Sequence, residues 1–167
     1  IRDKSIILVG GIVLLALFGA LSIAVSSDTN FFVSFFVSSS LISTTGIPYT
    51  KLPIEQNTVM LYTCIILMFV SGMPLLSIFD RKWRQIVNDI QLRVYFLMTA
   101  SFFIISLIFQ NFDYWSINSI TETLFETISS ITTNSVYFDK EYNMTAISFF
   151  LKFNGGCTGC ASGGVKI

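Results

Sequence analysis

Two threonine-rich stretches carry the residues that could do chemistry in this chain. Residues 40–48 read Ser-Leu-Ile-Ser-Thr-Thr-Gly-Ile-Pro, and residues 129–136 read Ser-Ser-Ile-Thr-Thr-Asn-Ser-Val. An offset of 89 residues aligns Phe36 with Phe125, Ser40 with Ser129, Ile42 with Ile131 and Thr44 with Thr133. Such an echo indicates a duplicated structural unit.

Backbone carbonyl groups are the chemistry that these stretches offer. Each follows a short apolar segment, 31–43 or 117–131, and neither segment reaches the length of about 20 residues that a bilayer crossing takes. A helix that ends inside a membrane leaves its last carbonyls unpaired, and such backbone persists only where it is buried or lines a water-filled cavity. Rings of carbonyls can replace the hydration shell of a monovalent cation. We therefore expect two walls of a cation filter, with Gly46 turning the chain at a positive φ.

A glycine-rich stretch, residues 155–164, allows several interpretations. It lacks the Gly-Lys-Ser/Thr ending of a phosphate-binding loop, which excludes that function. Close helix packing through small residues is a second interpretation. Cys157 and Cys160 have the spacing of a thiol redox pair, so a membrane thiol oxidoreductase is an alternative function. We favour a broken helix whose loop projects into an ion pathway.

The composition is that of a membrane protein. Of the 167 residues, 53% are apolar and 12% are charged, against roughly 25% charged residues in soluble domains. The mean hydropathy is +0.71. Histidine is absent, which excludes imidazole as a metal ligand or a general base. We expect no enzyme activity, no resident cofactor and no nucleic-acid partner.

The order of apolar and polar segments predicts an all-α integral membrane fold made of tandem repeats. Each repeat is expected to contain a span, a re-entrant pore helix and a second span. The predicted repeats are 1–79 and 94–167, joined by a cytoplasmic interfacial linker at 80–93. We expect spans at 5–26, 58–79 and 94–112, pore helices at 31–43 and 117–131, filters at 44–47 and 133–136, and a broken span at 144–167. Gly72 and Pro74 permit a kink in the span at 58–79.

Charge placement supports this topology. If both ends of each unit are cytoplasmic, basic residues predominate on the inner side, as the positive-inside rule requires. They are Arg2, Lys4, Arg81, Lys82, Arg84, Arg93 and Lys166. The opposite side is mainly acidic, and an acidic vestibule raises the local concentration of cations.

The glycine-rich stretch resembles a family signature. Gly155-Gly-Cys-Thr-Gly-Cys-Ala-Ser-Gly-Gly-Val-Lys-Ile167 is similar to the Gly-Gly-Cys-Ala-Gly-Ser-Thr-Gly-Gly-Gly-Ile-Lys-Val sequence of the TrkH branch of the Trk/Ktr/HKT potassium transporters. Residues 125–133 are similar to the third pore helix of that family, and residues 70–73 to the end of its second unit. The resemblance implies four repeats around one pore. This chain would be a fragment holding the second and most of the third repeat.

The same resemblance implies site residues. The potassium-binding residues would be Thr44, Thr45 and Gly46 in one filter, followed by Ile47, and Thr133, Asn134 and Ser135 in the other, followed by Val136. The gating loop would use Gly155, Gly156, Gly159, Gly163 and Gly164. The family usually has glycine where Ser135 stands, and a non-glycine residue in a left-handed conformation costs on the order of 1 to 2 kcal/mol. We therefore expect the second of these loops to be distorted or to follow another path.

The function that the resemblance implies is transport of potassium, or of another monovalent cation, past an intramembrane gating loop. The protein would be a multi-pass protein of the cell inner (plasma) membrane. A cytoplasmic nucleotide-binding regulatory subunit and a homodimer are implied by the resemblance alone. Besides the thiol oxidoreductase, a nonconducting degraded transporter subunit is an alternative.

Overall fold

Five α-helices form the regular structure of the described part of the chain. The computed structural model describes residues 2–27, 29–47, 57–74, 89–109, 117–134, 136, 151–153, 155–157, 160 and 162–164. The helices are α1 (Arg2–Ser27), α2 (Phe31–Ile42), α3 (Thr58–Ser71), α4 (Ile90–Phe109) and α5 (Ile117–Ile131). These residues contain no strand, so the prediction of an all-helical chain is confirmed.

Some predicted features lie outside the described residues. They are Ser135 of the predicted filter, Gly159 of the predicted gating loop, the loop at 48–56, residues 80–88 of the predicted linker and the first part of the broken span at 144–150.

The helix bounds follow the predicted segments, and two differences exceed three residues. The helix predicted over 58–79 ends at Ser71, and the chain turns through Gly72, where a kink was expected. The helix predicted over 94–112 begins earlier, at Ile90, because Asp89 caps it: the Asp89 carboxylate accepts from the N–H of Gln91 at 3.1 Å. The predicted linker therefore contributes its last residues to α4.

In the part of the chain that the structure describes, two helices are long and apolar enough to cross a membrane. They contain Ile6–Ser27, of 22 residues, and Ile90–Ile108, of 19 residues. Many of their apolar side chains are exposed, among them Val9, Leu14, Phe18, Val25, Leu97, Ile104 and Ile108. Soluble monomers rarely leave contiguous apolar surface larger than a few hundred Å² uncovered. These helices therefore indicate association with a membrane.

Hydroxyl groups and small residues bring α1, α2 and α3 together. A Cβ atom at Gly19 of α1 would lie 2.6 Å from Leu67 of α3 and would also collide with Ser38 of α2. The Ser38 hydroxyl donates to the carbonyl of Ala16 at 2.8 Å across the same crossing. Small residues and hydroxyl bonds are the usual means of close packing between membrane helices. The short helix α2 is held tightly between the two longer elements.

The second short helix, α5, packs against α3 and α4. Tyr95 of α4 is buried, and its hydroxyl donates to the carbonyl of Phe69 at 3.1 Å near the end of α3. The rings of Tyr95 and Phe69 lie 5.2 Å apart between centroids. The buried face of α5 includes Phe125 and Ile128 and joins the core shared with α3. The end of α3, the start of α4 and the end of α5 therefore meet at one place.

Candidate functional site

The turns after α2 and α5 have the same backbone hydrogen bonds. The pairs, donor first, are Thr44–Leu41 (3.2 Å) and Thr45–Ser40 (3.0 Å) after α2, and Thr133–Ser130 (3.2 Å) and Asn134–Ser129 (2.9 Å) after α5. These are the two bonds of a Schellman motif, which ends a helix by bonding N–H groups back to its last carbonyls. Each pair in one turn corresponds to a pair in the other at the offset of 89 residues.

Threonine occupies the left-handed position of both motifs. Thr44 has φ 57° and Thr133 has φ 58°. This position usually holds glycine, and a β-branched residue there is an outlier. Among the described residues, these two threonines are the non-glycine residues with positive φ. Backbone strain of this kind costs on the order of 1–3 kcal/mol and clusters at functional sites. The strain lies at equivalent positions of the two turns.

The first loop, residues 44–47, turns twice. Gly46 has φ 58°, which confirms the predicted positive φ, and its N–H donates to the Ser40 carbonyl at 3.1 Å. The hydroxyl of Ser40 accepts from the N–H of Ile47 at 2.7 Å. Thr45 is exposed and shares a hydrogen bond with the hydroxyl of Ser43 at 2.8 Å. The loop is therefore pinned to the last turn of α2 through Ser40.

The second loop, residues 133–136, is held by Ser129 of α5, whose hydroxyl donates a hydrogen bond where that of Ser40 accepts one. The hydroxyl of Ser129 shares its one proton between the carbonyls of Asn134, at 3.1 Å, and Val136, at 3.0 Å. The side chain of Asn134 is 1% exposed, and its amide nitrogen donates to the Thr132 hydroxyl at 3.0 Å. Its Oδ1 atom is buried and has no hydrogen-bond partner within the described structure. The position of Ser135 lies outside the described residues.

The glycine-rich segment, residues 155–164, folds back on itself. A Cβ atom at Gly155 would collide with the carbonyl of Gly163, and Gly164 has φ 80°. A Cβ atom at Gly156 would lie 2.7 Å from the carbonyl of Gly72. Glycine is therefore required at 155 and 156 by close backbone approach and at 164 by its conformation.

Two hydrogen bonds dock the glycine-rich segment on the helix ends. The N–H of Cys157 donates to the carbonyl of Gly72, beyond α3, at 3.2 Å. The N–H of Gly163 donates to the Thr133 hydroxyl at 2.8 Å. The structure thus brings the predicted gating-loop residue Gly163 into contact with the predicted filter residue Thr133.

Sequence reasoning missed the docking role of Gly72 and the left-handed conformation of the two threonines. The strain predicted at Ser135 lies outside the described residues. The signal for Gly72 was present in the break at Gly72-Met73-Pro74, which ends a helical pattern. Threonine carries no comparable signal, because its usual preference is for strands.

The thiols of the glycine-rich segment are buried. Cys157 is 0% exposed and Cys160 is 8% exposed, and neither is disulfide-bonded. Reactive cysteines usually lie in partly exposed, electropositive surroundings. Within the described residues no group of three or more His, Cys, Asp or Glu side chains could hold a metal ion.

Both short helices point their C-terminal ends at the loops. The C-terminus of a helix carries the negative end of the helix dipole, which favours a nearby cation. Chemically, the arrangement can offer backbone oxygens and threonine hydroxyls to a monovalent cation. Comparison of the chain with protein-family models, with curated proteins and with solved structures found no match.

Proposed function

We propose that this chain is part of the ion-conducting subunit of a multi-pass membrane protein that carries potassium, or another monovalent cation. The first loop and the second loop form two walls of its filter. The ligands are Thr44, Thr45 and Gly46 on one wall and Thr133, Asn134 and Ser135 on the other. The glycine-rich segment is the gate below them.

One observation carries the proposal: two short helices end in the same strained turn at equivalent positions. Thr44 and Thr133 both take a left-handed conformation that costs free energy. An ordinary helix end takes glycine at this position and avoids the strain. A requirement for a threonine hydroxyl and for a fixed direction of the neighbouring carbonyls explains why the strain is kept in both turns.

The length of the two short helices supports the same function. α2 has 12 residues and α5 has 15, and their partners α1 and α4 are long enough to span. A short helix held among longer membrane helices ends within the bilayer, where its loop must be buried or line a cavity. Carbonyl-lined cavities at that depth are the known means of dehydrating monovalent cations.

Contact between the second loop and the glycine-rich segment supports a gating role. The bond from Gly163 N–H to the Thr133 hydroxyl couples the position of the segment to a filter residue. Movement of the segment would free that hydroxyl. A cytoplasmic nucleotide-binding subunit that controls this movement, and a homodimeric assembly, belong to the proposal through the family resemblance.

Uptake of rubidium by liposomes that contain the full-length protein tests the filter. Gly46→Val places a β-branched side chain at φ 58°, which costs roughly 1–2 kcal/mol. That free energy corresponds to about a tenfold loss of uptake if it falls on the conducting conformation. Gly10→Val is the matched control, because a Cβ atom at Gly10 meets nothing within 4 Å.

Two results would contradict the proposal in different ways. Equal uptake by the Gly46→Val variant and by the wild-type protein would remove the first loop from the ion pathway. Absence of uptake by the wild-type protein, with its fold verified by circular dichroism, would favour the nonconducting subunit.

A further inference from the structure

The backbones of Cys157 and Cys160 are joined by a hydrogen bond within the glycine-rich segment. The N–H of Cys160 donates to the carbonyl of Cys157 at 3.2 Å. A bond between residues i and i+3 closes a β-turn, whose end Cα atoms lie within about 7 Å of each other. Disulfides form between Cα atoms about 4.4–6.8 Å apart. This hydrogen bond therefore keeps the Cα atoms of Cys157 and Cys160 close to the separation that a disulfide requires.

Each thiol is engaged by a weak hydrogen bond. The sulfur of Cys160 lies 2.7 Å from the hydroxyl oxygen of Ser162, which also accepts from the N–H of Gly156 at 2.8 Å. The sulfur of Cys157 lies 3.5 Å from the carbonyl oxygen of Gln91 in α4. Thiols are weak donors and acceptors, so both contacts can be given up at small cost.

The turn lies between two backbone anchors. Cys157 N–H is bonded to the Gly72 carbonyl on one side of the turn, and Gly163 N–H to the Thr133 hydroxyl on the other. A covalent bond across the turn removes conformations that the segment would need in order to leave these anchors. It leaves both anchoring bonds in place, because neither involves a sulfur atom.

We propose that Cys157 and Cys160 are a modification site: a small-molecule disulfide oxidises them to an intramolecular disulfide that holds the glycine-rich segment on Gly72 and Thr133. The effect on ion flux rests on the proposed function, whereas formation of the disulfide does not.

The chemistry is two thiol–disulfide exchanges. The thiolate of Cys160 attacks one sulfur of glutathione disulfide, which forms a mixed disulfide and releases one glutathione thiolate. The thiolate of Cys157 then attacks the Cys160 sulfur and releases the second glutathione thiolate. The two protons of the cysteine thiols pass to the two leaving thiolates. Two cysteines are oxidised, and one glutathione disulfide is reduced to two glutathione molecules.

Burial decides the order and the rate of the exchange. Cys160 is 8% exposed and Cys157 is 0% exposed, so attack starts at Cys160. A reagent reaches the thiol when the segment opens locally, and the rate follows the population of the open form. Cys64, which is 0% exposed within α3, serves as an internal control in the same chain.

The test treats the full-length protein in liposomes with glutathione disulfide and then alkylates the remaining thiols. Peptide mass spectrometry should find Cys157 joined to Cys160 and Cys64 alkylated after unfolding. Rubidium uptake should fall several-fold and return after dithiothreitol. A Cys160–glutathione adduct that never closes, or unmodified thiols after long exposure, would overturn the proposal.

Single cysteine variants distinguish the effect of a Cys157–Cys160 disulfide from the effect of oxidation elsewhere in the protein. Cys157→Ser and Cys160→Ser, each compared with its own untreated flux, should not respond to glutathione disulfide through an intramolecular bond. Cys64→Ala should respond as the wild type does. If the wild-type protein shows no flux, the proposed function fails, and the mass-spectrometric result still decides whether the disulfide forms. A disulfide that forms and leaves uptake unchanged would overturn the claim that it holds the segment closed.

Discussion

The loops after α2 and α5 begin with the same backbone hydrogen bonds, but different side-chain hydrogen bonds hold them in place. Both end a short helix in a Schellman motif with a left-handed threonine. In the first loop the serine hydroxyl accepts from a loop N–H, whereas in the second it donates to loop carbonyls. In the second loop Asn134 and Val136 are buried and Thr133 contacts the glycine-rich segment, whereas Thr45 and Ile47 of the first loop are exposed. The same strained turn is thus kept where its surroundings differ, which indicates that the turn itself is what both loops require.

The direction of the serine hydrogen bond changes what each loop can offer to a cation. A hydroxyl that donates to the carbonyls of Asn134 and Val136 occupies part of their capacity and fixes their direction. The Ser40 hydroxyl accepts from Ile47 N–H, and that bond occupies no carbonyl of the first loop. On the proposed function, the first loop supplies the freer carbonyls and the second supplies the link to the gate.

Removing the support of the second loop should have the largest effect. Gly155→Ala places a Cβ atom against the carbonyl of Gly163 and displaces the N–H that bonds Thr133. Overpacking of this kind costs about 1–3 kcal/mol, and a backbone neighbour that cannot move aside places the variant near 3 kcal/mol. Hydrogen exchange should accelerate at the amides of Thr133 and Asn134.

The first loop serves as the internal control in the hydrogen-exchange experiment on Gly155→Ala. Exchange at the amides of Thr44 and Thr45 should change little, and Gly10→Ala should change neither loop, because Gly10 has open space around it. Equal acceleration in both loops would mean that the glycine-rich segment supports the whole fold rather than the second loop.

Replacing Ser129 or Ser40 by alanine should have the next largest effect, and the two losses of stability should differ. Ser129→Ala leaves two buried carbonyls without a hydroxyl donor and should lower the free energy of unfolding by about 1–3 kcal/mol. Ser40→Ala removes one acceptor from a loop N–H and should cost about 0.5–1.5 kcal/mol. Unfolding midpoints in detergent measure both. An equal or reversed order would show that the direction of the hydroxyl bond does not distinguish the loops.

Sequence patterns predicted the positions of the short helices well, but they did not predict the hydrogen bonds that hold the loops. The apolar runs fixed the ends of α2 and α5 within one residue, because length and polarity limit where a short helix can stop. The glycine at 46 was predicted to turn because glycine alone takes positive φ without strain. The left-handed threonines could not be predicted, because they adopt the turn that closes each helix against threonine's local preference for extended backbone.

The docking of the glycine-rich segment also lay beyond the sequence. Its bond to Gly72 joins residues far apart in the chain, and no periodicity or spacing reports which carbonyl a distant N–H will reach. The opposite directions of the Ser40 and Ser129 hydrogen bonds could not be predicted for the same reason. Both serines align, but the direction of a hydroxyl bond depends on whether the loop turns an N–H or a carbonyl toward it.

The buried amide of Asn134 gives a sharper test of the second loop. Asn134→Leu keeps approximate shape, removes the unpartnered Oδ1 and loses the bond to Thr132. The Thr132 hydroxyl keeps its own bond to the Ile128 carbonyl at 2.7 Å, so the variant loses one neutral hydrogen bond and should lower the free energy of unfolding by about 0.5–1.5 kcal/mol. A loss of about 3 kcal/mol or more would show that Oδ1 holds an ordered water or ion in the intact protein.

The smallest effect is expected from relief of the strain itself. Thr44→Gly removes strain of about 1–2 kcal/mol, and the added freedom of glycine in the unfolded chain cancels about 0.5–1 kcal/mol of that gain. Each variant also loses a hydrogen bond of its hydroxyl: in Thr44→Gly the local bond to the Ser43 carbonyl at 2.7 Å, and in Thr133→Gly the bond from Gly163 N–H, worth about 1 kcal/mol, which docks the glycine-rich segment. Thermal unfolding should therefore find Thr44→Gly close to the wild type and Thr133→Gly less stable, because the second variant also releases the glycine-rich segment. If both variants gain equally, the bond between the second loop and the glycine-rich segment contributes nothing to stability, and the two loops differ in position alone.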